Sequence, residues 1–228
     1  MEFMNYLLFG IYPYVCFLVF VGGSLLRFNR DQYHWKSDSS QMLRTGSLRW
    51  GSNLFHIGIL MLFVGHLVGF FSPIPLLHAL GITPEMKQML AIVLGSFAGI
   101  ICFIGLVFLI IRRLGDVRIR KNSRFSDILL LFWLITVLSV GLISILTSLQ
   151  HRDGSMIIRF MYYVQHIFTF QGDAASLVLD APIVYKVHMF LAMTLFLIFP
   201  FTRLVHIWSG FGALFSYAFR KRQIVRRR

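Results

Sequence analysis

The chain has 228 residues, of which 57% are hydrophobic and only 14% are charged, well under the ~25% charged residues of an ordinary soluble domain. A water-soluble core of this size cannot hide so much apolar surface, so the composition calls for the bilayer as solvent. The net charge of +13, from 22 Lys and Arg against 9 Asp and Glu, then reads as membrane topology and contact with anionic lipid, and no nucleic-acid partner is expected.

A helix needs roughly 20 apolar residues to cross the hydrocarbon core, and five segments qualify. The expected fold is therefore an all-α integral membrane protein, a single domain with spans at about 4–26, 50–72, 87–111, 128–149 and 182–208. The first run lacks the basic start and small-residue cleavage site of a signal peptide and reads as a retained helix. The second ends near Ser72, because Pro73 and Pro75 follow. Between the fourth and fifth spans, the apolar stretch Phe160 to Gly172 is too short to cross and reads as an interfacial or re-entrant helix. The fifth is interrupted only by Pro200 and Arg203. The two cysteines, Cys16 and Cys102, lie inside apolar runs with no CxxC or CxxCH, which argues against a disulfide framework, a zinc ribbon and a covalently attached haem.

Basic residues set the expected orientation. Seventeen of the 22 Lys and Arg fall in the loop from Arg27 to Arg49, the loop from Arg112 to Arg124 and the tail from Arg220 to Arg228. With five spans these three segments share one side, which the positive-inside rule makes the cytoplasm. The N-terminus is then outside and the C-terminus cytoplasmic.

Of eight histidines, His34, His78, His151 and His166 fall in loops or in the short apolar stretch. The other four lie inside spans: His56 and His66 in the second, His188 and His206 in the fifth. Ionisable side chains in hydrocarbon are costly and mark function. Two on each of two helices suit six-coordinate haem iron, which can take an imidazole from either face. The topology pairs them by depth, His66 with His188 on the outer side and His56 with His206 on the inner side. Ten residues separate the first two, about 15 Å of rise, and eighteen separate the second two, about 27 Å. A bend at Pro200 is one way to absorb that mismatch. Gly58, Gly65 and Gly69 on the second span suit either a flat porphyrin or close helix packing. Arg203, one turn before His206, and Arg112 with Arg113 at the end of the third span suit anionic haem propionates or a plain positive-inside role.

At these residues the sequence resembles a known family. Ser52 to Leu60 with Val64-Gly-His66, Leu197 to Trp208 with its Pro200, Arg203 and His206, the N-terminal Ile11-Tyr-Pro-Tyr, and Ser39-Ser-Gln-Met are similar to the gamma (cytochrome b) subunit of respiratory nitrate reductase. The likeness runs nearly end to end and is weakest from His151 to Asp180. It implies a multi-pass subunit of the bacterial cytoplasmic membrane carrying two b haems with the pairing above. It implies that menaquinol or ubiquinol is oxidised near the outer haem, with electrons leaving to a cytoplasmic iron–sulfur (beta) subunit and a molybdenum (alpha) subunit reducing nitrate. This chain has no cysteine cluster for iron–sulfur, so that chemistry needs partners. By the same likeness Lys87, at the mouth of the third span, lies at the quinol site, with Gly65 leaving room for the quinol ring; a snorkelling anchor is the bland alternative for Lys87. Two other functions stay open: a dihaem subunit of a different quinone-linked complex, such as one of sulfur metabolism, and a haem-free membrane anchor or transporter whose histidines relay protons.

Overall fold

The structure, a computed structural model, describes residues 2–30, 45–121 and 123–208. Expectations that fall on Lys36, Arg44, the Ser39-Ser-Gln-Met match and the basic tail lie outside the described residues. No strand occurs among those described. Among the described residues, five helices are long and apolar enough to cross a membrane: Glu2–Arg30, Leu48–Phe71, Pro84–Gly115, Phe125–Ser148 and Ile183–Phe201.

The first helix, α1, spans Glu2–Arg30 and widens to a π turn at Leu7–Ile11. Pro13 explains the widening. It has no N–H to donate, and its ring crowds the carbonyl four residues back, which is that of Phe9. The wide turn relieves the crowding, and the released Phe9 carbonyl accepts the Tyr163 hydroxyl at 3.0 Å. Burial pushes the Tyr163 phenol well above its ordinary pKa, so it stays a donor.

Helix α2, Thr45–Phe71, stops two residues before Pro73, as the sequence indicates. A short helix α3, Ile74–Ala79, leads to α4, Pro84–Gly115. Here Pro84 occupies the first turn, where a missing N–H costs nothing, and the Thr83 hydroxyl accepts the Met86 N–H at 3.3 Å as the cap. After one turn, α5 at Val117–Lys121, comes α6, Phe125–Ser148. The stretch expected to lie at the interface is a fourteen-residue helix, α7, Ser155–Phe168. It starts before Phe160 because Met156 and Ile157 already belong to its buried face, with Met161 and Tyr163. Gly154 permits its start. Its φ of +73° is left-handed, and a Cβ there would stand 2.4 Å from the Pro84 carbonyl oxygen.

The last long helix, α8, runs from Ile183 to Ile198. The interruption expected at Pro200 and Arg203 is a break in the regular helix. Two 3₁₀ turns, Phe199–Phe201 and Arg203–Val205, follow, separated by Thr202 with φ −115° and ψ 177°. Pro200 accounts for the break, since it cannot donate to the helix ladder.

Helix α2 packs along α4, α4 on α6, α6 on α8, and α8 on α1. The α2–α4 crossing is the closest. A Cβ on Gly58 would lie 2.5 Å from the Cys102 amide nitrogen, and one on Gly105 would lie 2.3 Å from that of Phe55. Gly58 therefore serves helix packing. Both obstacles are backbone, so neither can swing aside. Gly105→Val is expected to destabilise the bundle at the upper end of the roughly 1–3 kcal/mol of an overpacked core. Lowered thermal stability in detergent is the readout, and an unchanged melting temperature would show that the crossing can relax.

Candidate functional site

The antiparallel register of α2 and α8 brings the four membrane histidines together in two pairs. The ring centres of His66 and His188 are 6.4 Å apart with planes at 38°. Those of His56 and His206 are also 6.4 Å apart, with planes at 71°. The regular helix that carries His188 ends at Ile198, so His206 is not on a straight continuation of it, and the two residues eighteen apart each meet one of the two that are ten apart.

Each imidazole is oriented the same way. Nδ1 lies 2.7 Å from the Ser52 carbonyl in His56, 2.7 Å from Leu62 in His66, 3.1 Å from Val137 in His188 and 2.6 Å from Arg203 in His206. A carbonyl can only accept, so in each ring Nδ1 carries the proton and donates it. That leaves a lone pair on Nε2, the state in which a neutral imidazole binds a metal, and the Nδ1–H···O=C bond is the usual support behind such a ligand. Three of the four use a carbonyl of their own element. His188 reaches across to α6, where Gly141 makes room: a Cβ on Gly141 would lie 2.8 Å from the His188 ring.

The spacing carries chemical information. A metal held between two imidazole nitrogens at about 2 Å from each puts the ring centres roughly 6 Å apart, which both pairs match. No group of three or more His, Cys, Asp or Glu able to hold a metal occurs among the described residues. Each pair can therefore supply two opposed ligands but not a complete protein cage. Helices α2 and α8 do not pack closely on one another, and Gly65 and Gly69, flanking His66, face open space with nothing within 4 Å of a built Cβ. Among the described residues they pack against nothing.

The remaining sequence candidates divide between the two ends of the bundle. Arg203 is tied to the His56–His206 pair through its carbonyl bond to His206. Its Nε lies 3.2 Å from Asp127 Oδ1, and Arg113 Nη1 lies 3.2 Å from Asp127 Oδ2. Asp127 thus joins the end of α4, the start of α6 and the broken segment. Arg112, next to Arg113, is buried at 5% exposure. Lys87 lies at the other end, in the first turn of α4, and is buried at 7% exposure, so it does not snorkel to water. With Gly58 beside Cys102 and Gly105 beside Phe55, the register sets Lys87 roughly 10 Å of helix rise beyond the level of His66. No hydrogen bond or ion pair of its ammonium occurs among the described residues. Its neighbour Gln88 is also buried, with its side-chain oxygen unpartnered.

Sequence reasoning missed Asp127 as the link between two arginines, Gly141 as the space behind His188, and the role of Arg27 described below. Asp127 carried a weak signal as the acid standing immediately before the fourth apolar segment.

Spans and site together define an all-helical, multi-pass membrane protein with two opposed imidazole pairs between its second and fifth spans. The family model of the nitrate reductase gamma subunit matches residues 5–228. The chain is 42% identical to the respiratory nitrate reductase 1 gamma chain of Escherichia coli K12, covering all of both chains, and 42% identical to the respiratory nitrate reductase 2 gamma chain of that organism, covering all of this chain and 99% of the relative. It is 37% identical to the nitrate reductase gamma chain of Bacillus subtilis over 203 residues, 89% of this chain and 91% of the relative. The chain belongs to the nitrate reductase gamma subunit family.

Proposed function

We propose that this chain is the quinol-oxidising, dihaem cytochrome b subunit of a respiratory nitrate reductase in a bacterial cytoplasmic membrane. The observation that carries the reading is the repeated geometry of the two histidine pairs: 6.4 Å between ring centres, with Nδ1 donating to a carbonyl in every ring. A metal that finds only two opposed protein ligands needs its equatorial ligands from elsewhere, and a porphyrin provides four. His66 and His188 would hold the outer b haem, His56 and His206 the inner one. When bound, the haems supply one-electron carriers at two depths of the membrane.

The chain's own residues do the rest. The carbonyl bonds hold each imidazole as the neutral Nδ1–H tautomer and leave the Nε2 lone pair, which would ligate a haem iron. Lys87, buried near the outer pair, would donate a hydrogen bond to a quinol oxygen and favour its deprotonated form, with Gly65 leaving space for the ring. Arg112 and Arg203 would face propionates at the inner pair, with Asp127 holding Arg203 in place. The positive-inside rule supports an N-terminus outside and a C-terminus in the cytoplasm. On the likeness to respiratory nitrate reductase gamma chains, the partners are an iron–sulfur beta subunit and a molybdenum-containing alpha subunit that reduces nitrate.

A pyridine haemochrome assay on the purified chain, with protein quantified in parallel, is expected to find two protohaems per polypeptide. A folded but colourless protein would leave the histidines as a polar relay and remove the electron-transfer function.

A further inference from the structure

The segment that carries His206 is not a regular helix. A helix broken at a proline leaves carbonyls without their usual donors, and in a membrane interior each such group is costly. Here the break has a dedicated partner on α1. Arg27 Nη1 donates to the Pro200 carbonyl at 2.6 Å and to the Thr202 carbonyl at 3.0 Å. These two carbonyls flank Phe201, and the second belongs to the residue whose extended backbone separates the 3₁₀ turns.

The same face of α1 touches the segment twice more. Gly23 lies four residues before Arg27, one helical turn. A Cβ on it would stand 2.8 Å from Pro200 Cγ and 3.0 Å from Pro200 Cβ, so only a bare backbone admits the proline ring. Ser24 accepts the Trp208 indole N–H at 3.3 Å, closing the contact on the far side of His206. The Phe20 ring packs edge-on against Phe199 at 4.8 Å and lies 5.5 Å from that of Trp208. One stripe of α1 therefore holds residues on both sides of His206.

We infer that Arg27 is a positioning residue for His206: by joining the Pro200 and Thr202 carbonyls it fixes the broken segment and sets the imidazole that faces His56. The inference rests on the haem reading of the two pairs, and it concerns the inner pair alone. The planar guanidinium matters because it presents several donors in a fixed fork, whereas an ammonium is a point donor on a flexible stem. Neither His66 nor His188 belongs to the braced segment, so the outer pair is an internal control.

The test compares the intact complex, wild type and variant, by haem content and by the optical and electron paramagnetic resonance signatures of each haem. The wild type must first show two six-coordinate haems; if it shows none, the haem reading fails and the brace has no object. With two in the wild type, Arg27→Leu is expected to lose the inner haem or its six-coordinate low-spin signature while keeping the outer one. Arg27→Lys is expected to restore it in part. Should Arg27→Leu not accumulate, Gly23→Ala, which presses on Pro200 without removing a charge, is expected to perturb the inner signature alone. An inner haem with unchanged signature and midpoint potential in Arg27→Leu, or in Gly23→Ala where the first does not accumulate, overturns the inference and leaves the haem reading intact. Equal loss of both haems in Arg27→Lys and Gly23→Ala also overturns it, because the residue would then serve general stability.

Discussion

Replacing His188 with leucine is expected to halve the haem content of the chain, from two per polypeptide to one, and to abolish quinol oxidation. The surviving haem should have the same spectrum as that left by His66→Leu. The two residues face each other with ring centres 6.4 Å apart, so on the proposed haem reading either substitution would leave an outer iron with a single protein ligand. Loss of a supporting partner to a metal-ligating histidine already costs about 10–100-fold in metal affinity or activity, and loss of the ligand itself exceeds that. His56→Leu and His206→Leu should form a second matched set, lacking the inner haem but still passing electrons from quinol to the outer one. The comparison is sharp because the crossed assignment, His66 with His206, predicts different matched sets. Haem quantification and spectra of the four single variants check it. If His188→Leu keeps both haems, the pairing is wrong. Gly141→Val offers a milder version: a β-branched side chain where a Cβ would already meet the His188 ring at 2.8 Å should perturb the outer spectrum without removing the ligand.

Periodicity and depth were enough to read the five spans and the two histidine pairs, because both follow from where apolar runs start and stop. His56, His66, His188 and His206 stand out as ionisable residues in hydrocarbon, and the order of the helices pairs them. What surrounds the pairs was less legible. The sequence marks Pro200 and Arg203 as interruptions of the fifth span, but hydropathy carries that span on to residue 208, since Phe199 and Phe201 are as apolar as the rest. Hydropathy does not register that Pro200 removes a donor, or that Thr202 turns to extended backbone. Arg27 looked like one more positive-inside charge. Its partners are carbonyls 173 and 175 residues away, and a backbone acceptor leaves no mark in a side-chain pattern. Asp127 was hidden for a related reason: its ties to Arg113 and Arg203 depend on the ends of three elements converging. The glycines separated only in three dimensions. Gly58 lies against the Cys102 backbone, while Gly65 and Gly69 border open space, although all three share one helix.

Lys87 is where stability and function pull apart. A cation in the first turn of a helix sits at the positive end of the macrodipole, and a buried ammonium without a paired charge is costly. Both apply here: Lys87 is three residues after Pro84, which opens α4, and it is 7% exposed. A lysine kept only as an anchor would lie in water and would not bear these costs. Lys87→Met keeps the length of the side chain and removes the charge. It is expected to leave both haems bound and fully reducible by dithionite, and to leave the melting temperature unchanged or raised. Quinol-driven haem reduction is expected to fall by roughly 10–100-fold, the equivalent of one hydrogen bond to a charged group at about 1.5–3 kcal/mol. Stopped-flow reduction by a soluble quinol analogue, beside a thermal melt, separates the alternatives. Slower reduction in a protein at least as stable supports a quinol-binding ammonium. Unchanged kinetics with lowered stability would make Lys87 a structural residue and move the quinol site elsewhere on the outer pair.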